Sequence, residues 1–163
     1  MKKDFLFVLC LPFIFFSCTK SSSGGCKYAV STVKAPVNEI DAIRSYLHDI
    51  HDSTAIEDTA SGLFYHITST GTGSSPGLCS NIIVQYIGKL TTSNDPFDKN
   101  TAGASFILGN LTLGWQRGLP LIHAGGSIDL FVPPSLGYGS TGSGTNIPPN
   151  AILIFSINLL AVQ

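Results

Sequence analysis

LTLGWQRGLPLIHAGGSIDLFVPPSLGYG, residues 111–139, is the stretch around which the rest of the chain can be read. Trp115, Leu119 and Ile122 recur at helical spacing and put one apolar stripe on a short helix. Gly118 lies on the same side, where the missing Cβ allows close backbone approach. Pro120 lacks an N–H and biases Leu119 away from the α region, so the helix is predicted to be about two turns long, closed off by Gly125-Gly126. Ile128, Leu130 and Val132 then alternate with Ser127, Asp129 and Phe131, the pattern of a half-buried strand. Pro133-Pro134 ends it. Tyr138 follows between two glycines in a loop, a placement that reads as a surface role.

Outside this stretch the signals are mostly those of strands. Leu63 to Thr70 is β-rich and ends in a Gly/Ser/Pro loop. Asn81 to Thr91 puts Ile82, Val84, Tyr86, Gly88 and Leu90 on one face, and Ala104 to Leu108 reads as a short strand. Ile152 to Ala161 closes the chain with Leu153, Phe155, Ile157 and Leu159 inward and Ser156 and Asn158 outward. The sum is an α+β domain over residues 61–163, a five-stranded antiparallel sheet wrapped around the Trp115 helix. Ahead of it, Ile40, Ile43, Leu47 and Ile50 predict an amphipathic helix from about Asn38 to His51, with Asn38 as N-cap, in a helix-and-connector segment 37–60. Such a helix packs on its own domain or pairs with a second copy, and composition does not choose between them.

The ordered motifs GW-x-x-GL, GG, VPP-x-LGYG and IPPNA, with VQYIGKL and PFD upstream, resemble the FKBP-type peptidyl-prolyl cis-trans isomerases over roughly Gly62 to Gln163. The resemblance implies an FKBP-like fold and a pocket for a proline ring. Trp115 would be its floor, with Tyr86, Phe97, Phe106 and Phe155 as walls and Ile147 closing one side. Leu111 and Thr112 would flank the substrate chain, the backbone N–H there taking a carbonyl. Tyr138 would donate its hydroxyl to the carbonyl preceding proline, and Asp98 would be a buried carboxylate near the twisting amide; Tyr86, Asp98 and Tyr138 are thus the catalytic set. No metal and no cofactor are implied. The partners implied are proline-containing segments of folding proteins, with a macrolide ligand and a homodimer through the N-terminal helix as further options.

The chain also departs from the family pattern. Ala104 stands where a second phenylalanine is common, which thins that wall. The segment between Asp98 and Ala104 looks shortened and holds no arginine to pair with Asp98, and the loop Ser140 to Asn146 has no large apolar residue. A binding module with low turnover, holding apolar or proline-containing segments, is therefore the alternative to an enzyme.

At the N-terminus, Lys2 and Lys3 precede an apolar run from Phe5 to Phe16, too short to span a bilayer comfortably. This predicts an export signal over residues 1–17. The Phe15-Phe16-Ser17-Cys18 end resembles a bacterial lipobox, with Cys18 as the acylated first residue of a lipoprotein facing the periplasm or cell surface. Residues 18–36 would be a flexible spacer on that anchor. Past residue 17 the chain has 7 basic and 9 acidic side chains, and without a basic patch nucleic acid is not an expected partner. Cys26 and Cys79 remain as an even pair in an exported protein, where a disulfide is expected to persist. His48, His51, His66 and His123 show no metal-ligand spacing beyond one i, i+3 pair, so solvated helix-face histidines are the expectation.

Overall fold

The computed structural model describes residues 25–163. The expected signal, Cys18 and the first residues of the spacer lie outside the described residues. In chain order the main elements are helix α1 (Val37–Asp49), strands β1 (Ile56–Asp58), β2 (Leu63–Ser69), β3 (Asn81–Leu90) and β4 (Pro96–Ile107), helix α2 (Leu113–Gly118), and strands β5 (Gly126–Val132) and β6 (Leu153–Val162). The strands form one antiparallel sheet in the order β1-β2-β5-β6-β3-β4.

The sheet has six strands where five were expected. The extra one, β1, pairs Ile56 to Asp58 with Tyr65 to Leu63 inside the supposed connector. Three residues are too few for alternation to be visible in sequence. The turn after it is built locally: Asp58 accepts from Ser61 Oγ at 2.5 Å and Ala60 N–H at 3.1 Å, and Gly62 sits at φ 82°. Strand β4 is also longer than expected, because its first half, an edge that apart from Phe97 is mostly polar and exposed, shows no period-2 signal. Within it the Asn100 carboxamide accepts the N–H groups of Ala102 and Gly103 at 3.1 and 2.9 Å, next to an irregularity in the pairing of β3 with β4.

The inner face of the sheet covers α2. Ile82, Val84, Ile128, Leu130, Leu153, Ile157 and Leu159 are buried there with Trp115 and Leu119. A Cβ at Gly118 would run into the Leu130 side chain, so the glycine is what lets helix and sheet approach. The helix passes into a 3-10 turn, Leu119–Leu121, with Pro120 near its start, and the chain is extended again by Ile122.

The outer face is covered as well. Ile40, Ile43 and Leu47 of α1, with Ala35, pack on Phe64 and Phe131. Phe131 alternates with the inward residues, yet it is only 5% exposed, since Tyr46 of the helix stands against its ring with centroids 6.3 Å apart. The apolar stripe of α1 is thus spent within the chain, and a dimer through this helix would need its other face. The N-cap is Pro36, extended and without a side-chain cap, and not Asn38. Glu39 in the first turn instead reaches across to Ser135, its Oε2 accepting the backbone N–H at 2.9 Å and the hydroxyl at 2.7 Å.

The spacer reading fails from residue 26 onward. Cys26 is bonded to Cys79, the Tyr28 hydroxyl donates to Asn110 Oδ1, Arg117 of α2 donates to the Ser31 carbonyl, and Ala35 is buried. This segment is irregular because its backbone follows the surface of the domain. It is a strap, not a tether.

Candidate active site

Trp115 is placed by α2 under the open side of the sheet and is 5% exposed. Two rings stand edge-on to its indole: Tyr86 from β3, at 5.4 Å and 82°, and Phe155 from β6, at 5.2 Å and 82°. Edge-to-face packing aims the positive ring edges at negative ring faces, which holds the rings upright. Phe97 from β4 meets Phe155 edge-on at 5.7 Å, and Phe106 tilts against Tyr86 at 6.2 Å. Gly88 sits behind these rings, and a Cβ there would come within 2.7 Å of Phe97 and 2.9 Å of Phe155.

These rings enclose an apolar bowl of about 270 Å³, with Leu111 and Thr112 on one side. Asp98, Tyr138 and Asn110 complete its lining. The Tyr86 hydroxyl donates to Asp98 Oδ2 at 2.8 Å. Burial pushes the Tyr86 phenol up to about 12, with the hydrogen bond to Asp98 and that carboxylate's charge adding to the shift. Tyr138 is raised too, by burial first and then by the charge of Asp98. Both phenols therefore stay protonated, as donors, at neutral pH. Tyr138 is 37% exposed and its hydroxyl has no hydrogen bond among the described residues. Thr112 lines the pocket, and its Oγ1 is buried without a hydrogen-bond partner among the described residues.

Most of the residues expected at the site converge here. Two corrections are needed. Ile147 does not line the bowl; it is 7% exposed within the core, its backbone paired in both directions with Ser143 at 2.8 and 3.1 Å. Asp98 is not a buried carboxylate but an exposed one at the rim, held by the tyrosine where an arginine was looked for. Ala104 pairs with Val84 in the β3–β4 ladder and is not among the lining residues; Phe106, two positions on, supplies that wall. Asn110 is the lining residue that the sequence did not reveal, because a polar residue in a loop carries no periodic signal.

The family model for the FKBP-type peptidyl-prolyl cis-trans isomerases matches residues 73–160, more than half of the chain. The chain belongs to this family. A probable FKBP-type peptidyl-prolyl cis-trans isomerase of Haemophilus influenzae is 38% identical over 110 residues, 66% of this chain and 46% of that protein. The outer membrane protein MIP of Legionella longbeachae is 39% identical over 105 residues, 63% of this chain and 45% of that one. The chain thus spans about half the length of these curated relatives. Among solved structures, that of FkpA from Escherichia coli superposes with a TM-score of 0.68 at 31% identity, covering 78% of this chain and 60% of that one. The FKBP-like fold is the common ground, a short helix seated in an antiparallel sheet.

Proposed function

We propose that this FKBP-family chain is a peptidyl-prolyl cis-trans isomerase acting on exported polypeptides. The observation that carries the reading is the upright box of Tyr86 and Phe155 on the Trp115 indole, open on one side and sized for a proline ring. Rotation about a prolyl amide is slow because resonance flattens the bond, with a barrier of about 18–20 kcal/mol. An apolar bowl strips water from the carbonyl and removes solvation that favours the planar, charge-separated amide. A rigid shape that fits the twisted amide better than the planar one then lowers the barrier.

In this reading the proline ring lies on Trp115 between the walls of Tyr86, Phe97, Phe106 and Phe155. Tyr138 donates its hydroxyl to the carbonyl before the proline, and the N–H of Thr112 takes another carbonyl of the chain. Asp98 fixes the tilt of Tyr86 and puts negative charge beside the twisting amide. The reaction forms and breaks no covalent bond, so the residues act by shape, exclusion of water and hydrogen bonding.

The same reading places the protein outside the cytoplasm, held to a membrane by acylated Cys18. The basic, apolar and small-residue order of residues 1–18 supports it, as does the likeness to a protein named for the outer membrane. The test is cis–trans exchange of a short Xaa-Pro peptide followed by NMR, using the domain from Thr19 onward. Exchange that accelerates in proportion to protein, and that Trp115→Ala abolishes, is the expected result. Peptide-induced shifts without acceleration would make the bowl a holder; unchanged exchange with a folded Trp115→Ala variant would refute the site. Radiolabelled palmitate incorporation that survives Cys18→Ser would refute the anchor.

A further inference from the structure

The strap and the pocket meet at one residue. Asn110 lines the bowl at its exposed rim, two positions before Thr112, and its Oδ1 is taken by the hydroxyl of Tyr28, 82 positions earlier in the chain. A carboxamide has one acceptor oxygen and two N–H donors. With the oxygen committed to Tyr28, the amide is fixed in one sense, and its NH₂ makes no hydrogen bond among the described residues.

Three features hold Tyr28 where it can do this. Cys26, two residues away, is bonded to Cys79. The Tyr28 ring lies flat on Gly109, where any Cβ would collide with it. Lys27 Nζ stands 5.1 Å from the centre of the same ring. The loop is braced from beneath as well: Gln116 Nε2 donates to the Leu111 carbonyl at 2.7 Å and to that of Gly109 at 3.2 Å, and Gly109 N–H donates to the Leu78 carbonyl at 2.7 Å, next to Cys79. A rim side chain on a loop would ordinarily sample several rotamers. Here both ends of the arrangement are pinned.

We propose that Asn110 is a substrate-contacting, specificity-determining residue that donates from Nδ2 to a backbone carbonyl of the bound polypeptide beyond the prolyl bond, and that Tyr28 is its positioning residue. The proposal rests on the reading of the bowl as a proline site. It makes the disulfide-tied strap part of substrate selection: chains long enough to reach the rim gain a contact that a minimal prolyl peptide does not.

The experiment uses two ligands, a blocked Ala-Pro dipeptide and an eight-residue peptide centred on the same dipeptide, with Kd by calorimetry and isomerisation by NMR exchange measured separately. Wild type is compared with Asn110→Ala, Tyr28→Phe, Gly109→Ala and the Cys26→Ser/Cys79→Ser pair. The expected result is a Kd for the long peptide raised about threefold to tenfold in Asn110→Ala, the size of one hydrogen bond. Tyr28→Phe and the two strap variants should shift it in the same direction by up to that amount, and in every variant the Kd for the long peptide should rise more than that for the dipeptide, so that the ratio of the two departs from wild type. A merely structural role for Tyr28 would lower the melting temperature and leave the ratio of the two Kd values as in wild type; that outcome overturns the proposal. Equal weakening of both peptides overturns it too, since the effect would then lie in the bowl. Absence of catalysed exchange with the Kd ratios still shifted would sink the isomerase reading and leave this contact standing; absence of binding to either peptide sinks both.

Discussion

The two faces of the sheet are packed in different ways. On the inner face, aliphatic side chains from four strands close over α2, and the aromatic rings that build the bowl stand at one side of them. On the outer face a smaller cluster joins α1 to Phe64 and Phe131. That layer is supplemented by single ties between residues far apart in sequence. Two of these reach segments that adjoin lining residues of the pocket. Glu39 grips Ser135, three positions before Tyr138, and Tyr28 grips Asn110, two positions before Thr112. The inner face therefore supplies the shape of the site, whereas the outer layer braces the loops that carry its polar groups. A difference of this kind predicts that damage to one face should be separable from damage to the other.

The largest effect belongs to the inner face. Trp115→Ala should cost about 3–5 kcal/mol of stability, as for other buried large-to-small changes, and should abolish catalysed exchange in the fraction that stays folded. Denaturant melts and NMR exchange on the same sample check both. Next is the covalent tie: the Cys26→Ser/Cys79→Ser pair should lose about 4 kcal/mol, the chain-entropy value for a loop of 53 residues. Cooperative unfolding at an unchanged denaturant midpoint would show that the strap is not coupled to the fold.

The comparison is sharpened by Ile43→Ala, which removes a fully buried side chain from the outer cluster. It should cost about 2–4 kcal/mol while leaving dipeptide affinity within about twofold. A large loss of affinity would mean that the faces are not separable. Glu39→Gln is a smaller lesion: it weakens a charge-assisted pair of hydrogen bonds to Ser135 and should cost about 1–2 kcal/mol, felt at the Tyr138 loop as increased amide exchange.

The smallest effect is that of pH. The folded Tyr86 phenol is raised to about 12 and Tyr138 is raised as well, so the stability their protonated forms contribute is complete below the unfolded tyrosine value near 10. It is lost as pH rises through the folded values. Peptide affinity should accordingly be flat from pH 7 to 9 and fall only in the alkaline range; Tyr86→Phe should remove part of the alkaline loss of stability.

Much of this arrangement was legible in the chain before any coordinates. The alternation in β3, β5 and β6 and the helical spacing of Trp115, Leu119 and Ile122 are local patterns, and local patterns read directly as elements. The bowl's rings were implied by the family resemblance that the ordered motifs carry, and Tyr86, Phe97, Phe106, Trp115 and Phe155 do line one pocket. Reading failed where pattern is weak. Strand β1 is too short to alternate, the first half of the edge strand β4 is mostly polar and exposed, and Ile147 looked like a wall because its neighbours Pro148-Pro149 carry the motif while its own side chain turns into the core.

By itself, then, the sequence determined most of the elements and their core faces, because each depends on spacing within a few residues, while the rings named for the bowl came with the family resemblance that its ordered motifs carry. Only the tertiary structure decided that α1 is spent on Phe64 and Phe131, that residues 26–36 are a strap, that Asp98 is open to solvent beside Tyr86, and that Tyr28 reaches Asn110. The two hydrogen bonds and the disulfide among these contacts join residues 12, 82 and 53 positions apart. No local periodicity encodes such pairings; they exist only once the sheet has twisted and closed over the helix, and the chain ends up where its burial and hydrogen bonding are best satisfied.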